Sequence, residues 1–299
     1  MEVSIVILTK NGGKHIGEVL ESIFNQDFNG EFEVIVIDSG SNDITLEIIK
    51  KYPVILRQIP AHEFGHGKTR NLGAKISKGE IVVFLTQDAV PIGKKWLYSL
   101  TRHLSEDHSV GAVFGKQVPM PDADPINKFR IKWIYQDKRI IKTKDAVFSS
   151  PREKFSFSNV NSAVSKTVLR KYVFQEDAFF AEDINFAKKI LMAGYKIIYE
   201  PEAAVYHTHN FGIVDIFRRY FDVAIAYKRS GIPKELEGIE SEGGKYVFAE
   251  LKFLIKNGYI WWVPYSLLHN ISKYLGLKLG HCEAFLPVNL KKKISVYWY

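Results

Sequence analysis

A lone cysteine, Cys282, among 299 residues leaves no internal disulfide and no thiolate metal cluster for the fold to rest on. Long apolar runs are missing as well. The best of them, residues 253–271, is broken by Lys256, Asn257, Pro264 and His269, too polar for a span of ~20 apolar residues. The opening MEVSIVILTKNGG has no basic segment before its apolar run, which breaks at Lys10, so it is not read as a secretory signal. Most of the chain also lacks a charge excess. From Asn210 onward lie 13 of the 41 basic and 8 of the 33 acidic residues, so the last 90 residues carry +5 of the net +8. Such local basicity argues against a chain that coats nucleic acid, and leaves an anionic membrane surface or a phosphorylated ligand. A cytoplasmic protein without a nucleic-acid partner is expected.

What is present is ordinary globular material, 46% hydrophobic and 25% charged, enough to fold by burial alone as one large domain or two unequal ones. No internal repeat or low-complexity segment interrupts it. Short β-branched runs at 3–8, 33–38, 54–59 and 80–85 alternate with helical patterns that begin near Lys14, Asp43 and Lys68. This βα series predicts an α/β fold, a parallel sheet with helices on both faces, whose ligands gather at the carboxyl ends of the strands. Residues 93–210 are mixed, with a helix over 94–104, a strand over 110–114 and an irregular stretch at 119–125 of the kind that forms binding loops. Beyond Phe211 the chain turns to aromatic and basic helices.

Acids stand where strands end. Asp38 closes EVIVID before SGSND, where it can accept hydrogen bonds from a base or ribose, or simply hold a turn, with Asp43 as a helix cap. Asp88, after IVVFL, suits a hard divalent metal. Glu182 and Asp183 open a helix that ends at Gly194; they are read either as acids favoured by the helix dipole or as a general base with its neighbour. His207 and His209 are two apart, and on a strand both would face one side. The segment HEFGH at 62–66 satisfies a zinc-protease pattern. Pro60 and the glycines at 65 and 67 deny it the helix that this chemistry needs. It is read instead as a Gly-rich loop that feeds the helix KTRNLGAKIS, with Lys68 and Arg70 near a diphosphate or else solvated.

In order, VSIVILTKN, the strand ending in Asp38, FGHGKTRN, TQD, the ED helix and VYHTHN resemble the inverting family 2 glycosyltransferases of the GT-A fold. EFGHGKTRN, FLTQDAVP, FSNVNSAVSK, FFAEDINFAKKILMAGYKIIYEP and FRRYFDVA narrow the resemblance to bacterial rhamnosyltransferases that use dTDP-L-rhamnose. The resemblance implies a Rossmann-like, mostly parallel sheet in a catalytic domain over residues 1–210, with a nucleotide half to about 92, an acceptor half beyond it, and a helical C-terminal region over 211–299. It implies a nucleotide cradle of Thr9, Asn11, Asp38, Ser39, Gly40, Lys68, Arg70, Asn71 and Gln87. It also implies Mg2+ or Mn2+ on Asp88 with His207 or His209, an acceptor site at Asn159, Asn161 and Ser162, and Asp183 as base beside Glu182. The family's DxD motif falls on Thr86, Gln87 and Asp88, so its first aspartate is absent here. The implied partners are a nucleotide-sugar donor and a glycan or polyprenyl-linked acceptor in cell-surface polysaccharide synthesis. The tail's aromatic and basic residues fit peripheral attachment at the inner face of the membrane, or equally a helical core or a homodimer contact. A UDP-sugar donor, or a non-catalytic nucleotide-sugar-binding protein, remains the alternative reading.

Overall fold

The computed structural model describes residues 2–148, 150–176, 181–229 and 239–296. Strands β1 (Val3–Thr9), β2 (Phe32–Asp38), β3 (Ile55–Gln58) and β4 (Ile81–Thr86) form parallel pairs in the order β3-β2-β1-β4. Helices α1 (Ile16–Phe24), α2 (Thr45–Ile49) and α3 (His66–Ile76) connect them. β1, β2 and β4 are buried nearly throughout, which is why they read as continuous Val/Ile runs instead of alternating patterns. Their register pairs Thr9 with Asp38 and Leu8 with Thr86, so the loops after all three strands leave the sheet at one edge.

The sheet continues beyond residue 92. After β5 (Val90–Pro91), α4 (Trp96–Glu106), β6 (Val110–Val118), α5 (Pro125–Ile134), β7 (Ile140–Lys142) and α6 (Pro151–Phe155), the chain inserts β8 (Asn161–Ser165) antiparallel between β4 and β6. Next come α7 (Lys166–Lys171), α8 (Glu182–Met192) and β9 (Lys196–Tyr206); β9 runs parallel to β6 and antiparallel to β5 and β7. The expected nucleotide and acceptor halves thus share one sheet. One face packs Ile5, Ile7, Val34, Val83 and Leu85 against Ile16, Leu20, Trp96 and Leu100; the other packs Val6, Ile35, Val82 and Phe84 against Ala74, Phe186 and Ile190.

Helices α9 (Ile213–Arg229), α10 (Ile239–Lys256), α11 (Val263–His281) and α12 (Val288–Ile294) form the C-terminal region. A Cβ on Gly276 or Gly280 would lie 2.4 Å from the carbonyl oxygen of Phe217 or Phe221, so the two glycines let α11 lie directly on the backbone of α9. Helix α10 docks on α5, with the Phe129 ring 5.3 Å from Tyr246 and 5.4 Å from Phe253. The tail's aromatics therefore divide, Tyr246 and Phe253 packing inward while Trp261 stays 90% exposed. Among the described residues no helix is long and apolar enough to cross a membrane.

Candidate active site

The antiparallel pairing of β5 with β9 builds the first half of the site. Val90 lies opposite Tyr206, so Asp88, two residues before β5, meets His207 just past the end of β9. His207 Nε2 lies 3.6 Å and His209 Nε2 3.4 Å from the two carboxylate oxygens of Asp88, and one ligand atom from each residue falls within 4.8 Å of the others. The strand expected to carry both histidines stops at Tyr206. A loop brings them together instead, with the rings 4.8 Å apart and perpendicular.

Behind them, the buried Gln117 on β6 donates from Nε2 to the Tyr135 hydroxyl (2.5 Å) and to Ser158 Oγ (3.2 Å), so its Oε1 is the acceptor facing His207 Nδ1 at 2.9 Å. That places the imidazole proton on Nδ1 and leaves the Nε2 lone pair toward Asp88. Burial lowers the pKa of His207 to about 4 and also lowers that of His209, so both rings are neutral near pH 7. Two neutral imidazoles and one carboxylate, with the inner ring oriented from behind, form a donor set that fits a divalent cation.

Helix α8 supplies the second half. Ala181 precedes it with φ of +63°, a left-handed conformation that costs a non-glycine residue of order 1–3 kcal/mol, the kind of strain that collects at working sites. Glu182 is buried and forms an ion pair with Arg70 of α3, whose Nη1 also reaches the carbonyl oxygen of His66 at 3.4 Å. Among the described residues no cation forms an ion pair with Asp183. It accepts the Ile184 N–H at 2.8 Å, and burial together with the Glu182 charge pushes its pKa up to about 7. A carboxylate poised there is suited to take a proton at neutral pH. The Asp183 charge acts in turn on Tyr135, whose pKa burial raises to about 12, so the Gln117 network spans from the histidines to the surroundings of Asp183.

The third part lies over β1, β2 and β4. Gln87 takes hydrogen bonds from Thr9 Oγ1 (2.6 Å) and Lys10 N–H (2.9 Å) and returns one to Lys10 O (3.2 Å). Asn11, in the left-handed region with φ of +50°, accepts the Asn42 N–H, while its own N–H donates to Ser41 Oγ. Asp38 is fully buried and accepts the N–H groups of Gly40 (3.0 Å) and Ser41 (3.1 Å) as well as the Ser41 hydroxyl. Ser39 bonds the Thr9 carbonyl through both N–H and hydroxyl. Asp43, read as a cap, bonds Gly13 and Thr45.

Residues 4–173 match the model of glycosyl transferase family 2. This chain belongs to that family. The transferase is 35% identical to the O-antigen chain rhamnosyltransferase RfbN of Salmonella typhimurium, over 99% of this chain and 95% of the relative. It is 33% identical to the O-antigen chain rhamnosyltransferase WbaN of Salmonella anatum, over 98% and 94%. Its fold is that of solved GT-A glycosyltransferases. Residues 1–349 of Staphylococcus aureus TarS match with a TM-score of 0.59 at 20% identity, covering 95% of this chain and 92% of that one. The Pyrobaculum calidifontis mannosyltransferase PcManGT, solved with GDP-Man and Mn2+, matches with 0.59 at 21%, covering 98% and 84%.

Other expected site residues of the transferase are spent inside the protein. Asn71 takes the Phe174 N–H at 3.0 Å and donates to Phe174 O at 2.9 Å, pinning the segment ahead of α8. Gly67 lets that segment pass, since a Cβ there would lie 2.1 Å from the Gln175 carbonyl oxygen. Asn161 is buried, bonded to Trp96 Nε1 and the Ala203 carbonyl, and Ser162 donates to Asn159 Oδ1, so the expected acceptor residues line the sheet interior. Of these three, Asn159 is the one whose backbone lies near enough to Asp183 to lower the pKa of that carboxyl. Arg70 is committed to Glu182, and Lys68 is exposed. The HEFGH segment forms a short 3-10 turn over Ala61–Glu63 and then extended backbone at Phe64, so its two histidines share no helix. Sequence reasoning passed over Gln117 and Tyr135, whose neighbours come from distant elements and leave no local pattern.

Proposed function

We propose that this transferase moves L-rhamnose from dTDP-L-rhamnose to a hydroxyl of a glycan or polyprenyl-linked saccharide during cell-surface polysaccharide synthesis, with inversion and with help from Mg2+ or Mn2+. The carrying observation is the pairing of an Asp88–His207–His209 cluster with an Asp183 poised near neutrality. The two rhamnosyltransferase relatives, matched over nearly their whole length, support the choice of sugar.

The nucleotide would lie over the carboxyl ends of β1, β2 and β4, cradled by Thr9, Asn11 and Gln87. Asp38, with Ser39 and Gly40, would shape that cradle through the turn it closes. Asp88, His207 and His209 would hold the cation, which when bound supplies positive charge to the departing diphosphate. Asp183 removes the proton of the acceptor hydroxyl, and that oxygen attacks the anomeric carbon from the face opposite the leaving group. Glu182 holds the start of α8 against α3 through Arg70, and its charge raises the basicity of Asp183.

A thermal-shift screen of nucleotide sugars with each cation, followed by product analysis with the best donor, tests the reading. Stabilisation by dTDP-L-rhamnose and an inverted rhamnosyl product are expected; turnover of a UDP-sugar instead would replace the donor. For location we propose the cytoplasmic face of the membrane, bound peripherally through the aromatic and basic C-terminal helices. Flotation with anionic but not neutral liposomes is the expected result, and a concentration-dependent dimer that ignores lipid would transfer this surface to a subunit contact.

A further inference from the structure

Helix α5 carries a row of side chains that the mechanism above does not use. Asp124 caps the helix by accepting the Asn127 N–H at 2.7 Å and also takes the Asn127 side-chain amide at 2.9 Å. Asn127, which is buried, uses its Oδ1 to accept Arg130 Nε at 3.0 Å. The three residues are spaced i, i+3, i+6 and lie along one helix face. The row starts in a cleft of about 400 Å3 lined by Asp124, Asn210, Phe211, Trp261, Trp262 and Tyr265, directly beyond His209.

The other end of the row is a half-buried guanidinium. Its Nε is held by Asn127, and its terminal NH2 groups have no protein partner among the described residues. Four N–H donors and a full positive charge are thus presented by a side chain fixed at the root. The Asp124 N–H donates to Asn210 Oδ1 at 3.2 Å, which sets α5 beside the loop that carries His207 and His209, and the Arg130 charge is felt at both histidines, at Tyr135, and at Tyr246 and His269 of the C-terminal helices. Arg70, by contrast, has its charge taken up by Glu182.

We propose that Arg130 binds a phosphoryl oxygen of the ligand at this site, the role expected of Arg70 and Lys68. A planar fork held at Nε and open at both terminal nitrogens matches the oxygens of a diphosphate, and two cations, metal and arginine, would share its charge. This rests on the metal-and-diphosphate reading above. The diphosphate belongs either to the donor or to a lipid-linked acceptor.

The test titrates wild type, Arg130→Gln and Arg130→Lys with MnCl2 alone, with dTDP plus Mn2+, with dTMP plus Mn2+, and with farnesyl diphosphate against farnesol. For a donor contact, Arg130→Gln weakens dTDP about 10- to 100-fold, leaves dTMP within about threefold, and binds Mn2+ alone as well as or better than wild type, because a nearby positive charge is gone. Arg130→Lys recovers part of the loss. For an acceptor contact the loss appears with farnesyl diphosphate and spares both dTDP and farnesol. A parallel weakening of Mn2+, dTMP and dTDP with a lowered Tm would reduce Arg130 to a structural residue and overturn the proposal. So would unchanged binding of both diphosphates. If folded wild type binds no dTDP in the presence of Mn2+, the underlying reading fails and takes this assignment with it.

Discussion

The loops over the first four strands and the groups at the ends of β9, α8 and α5 are both rich in polar side chains, yet they use them differently. Above β1 and β2, the side chains of Asp38, Ser39, Asn11 and Asp43 are bonded to the backbones of Gly40, Thr9, Asn42 and Gly13. Across the sheet, Asp88, His207 Nε2, Asp183 and the terminal nitrogens of Arg130 keep capacity that the other described residues do not consume. On the proposed reading, groups of the first kind set the shape of a nucleotide cradle, and groups of the second kind act on the ligand. Substitutions in the two regions should accordingly fail in different ways.

The largest separation is expected at Asp183. Asp183→Asn should lower turnover about 10²- to 10⁴-fold with donor affinity nearly intact, read by initial rates and calorimetry. The wild-type rate should rise with pH through about 7, as the base loses its proton. The stability effect has the opposite sign. Because the folded pKa lies above the ordinary carboxylate value, the folded state holds the extra proton between about 4 and about 7, and stability falls as pH rises across that window. The Asn variant should therefore match or exceed the Tm of wild type at pH 8, and a lower Tm there would remove Asp183 from the group of strained working residues.

Asp38→Ala should show the reverse pattern. Two backbone N–H groups and a hydroxyl lose a buried acceptor, which costs about 2–3 kcal/mol in denaturant unfolding, and nucleotide binding weakens only as the loop loosens. Loss of nucleotide affinity without loss of stability would move Asp38 into direct contact with the ligand.

Gln117→Leu removes the acceptor that holds the His207 proton on Nδ1. An affinity for Mn2+ lowered about 10- to 100-fold, measured in the absence of any nucleotide, is expected. The smallest effect is assigned to Lys68, exposed at the start of α3. Lys68→Ala should change stability by less than about 0.5 kcal/mol, and should change nucleotide affinity by less than about threefold at physiological salt. A larger loss would return this lysine to the diphosphate.

Read alone, the sequence determined the βα alternation, the strand ends that carry Asp38 and Asp88, and the helix that begins with Glu182 and Asp183. Those features are local, because burial on both faces of a strand and the caps of a helix write themselves into neighbouring residues. The tertiary structure decided which of the polar residues are spent. Asn161 and Asn71 resemble binding residues in a motif, but the Ala203 carbonyl and the Phe174 backbone that occupy them come from 42 and 103 positions away. Arg70 and Arg130 are likewise indistinguishable as letters. Glu182, packed against α3 across 112 positions, takes up the charge of Arg70, while Asn127, one helical turn before Arg130, holds only the Nε of that residue and leaves its charge to be matched by a ligand.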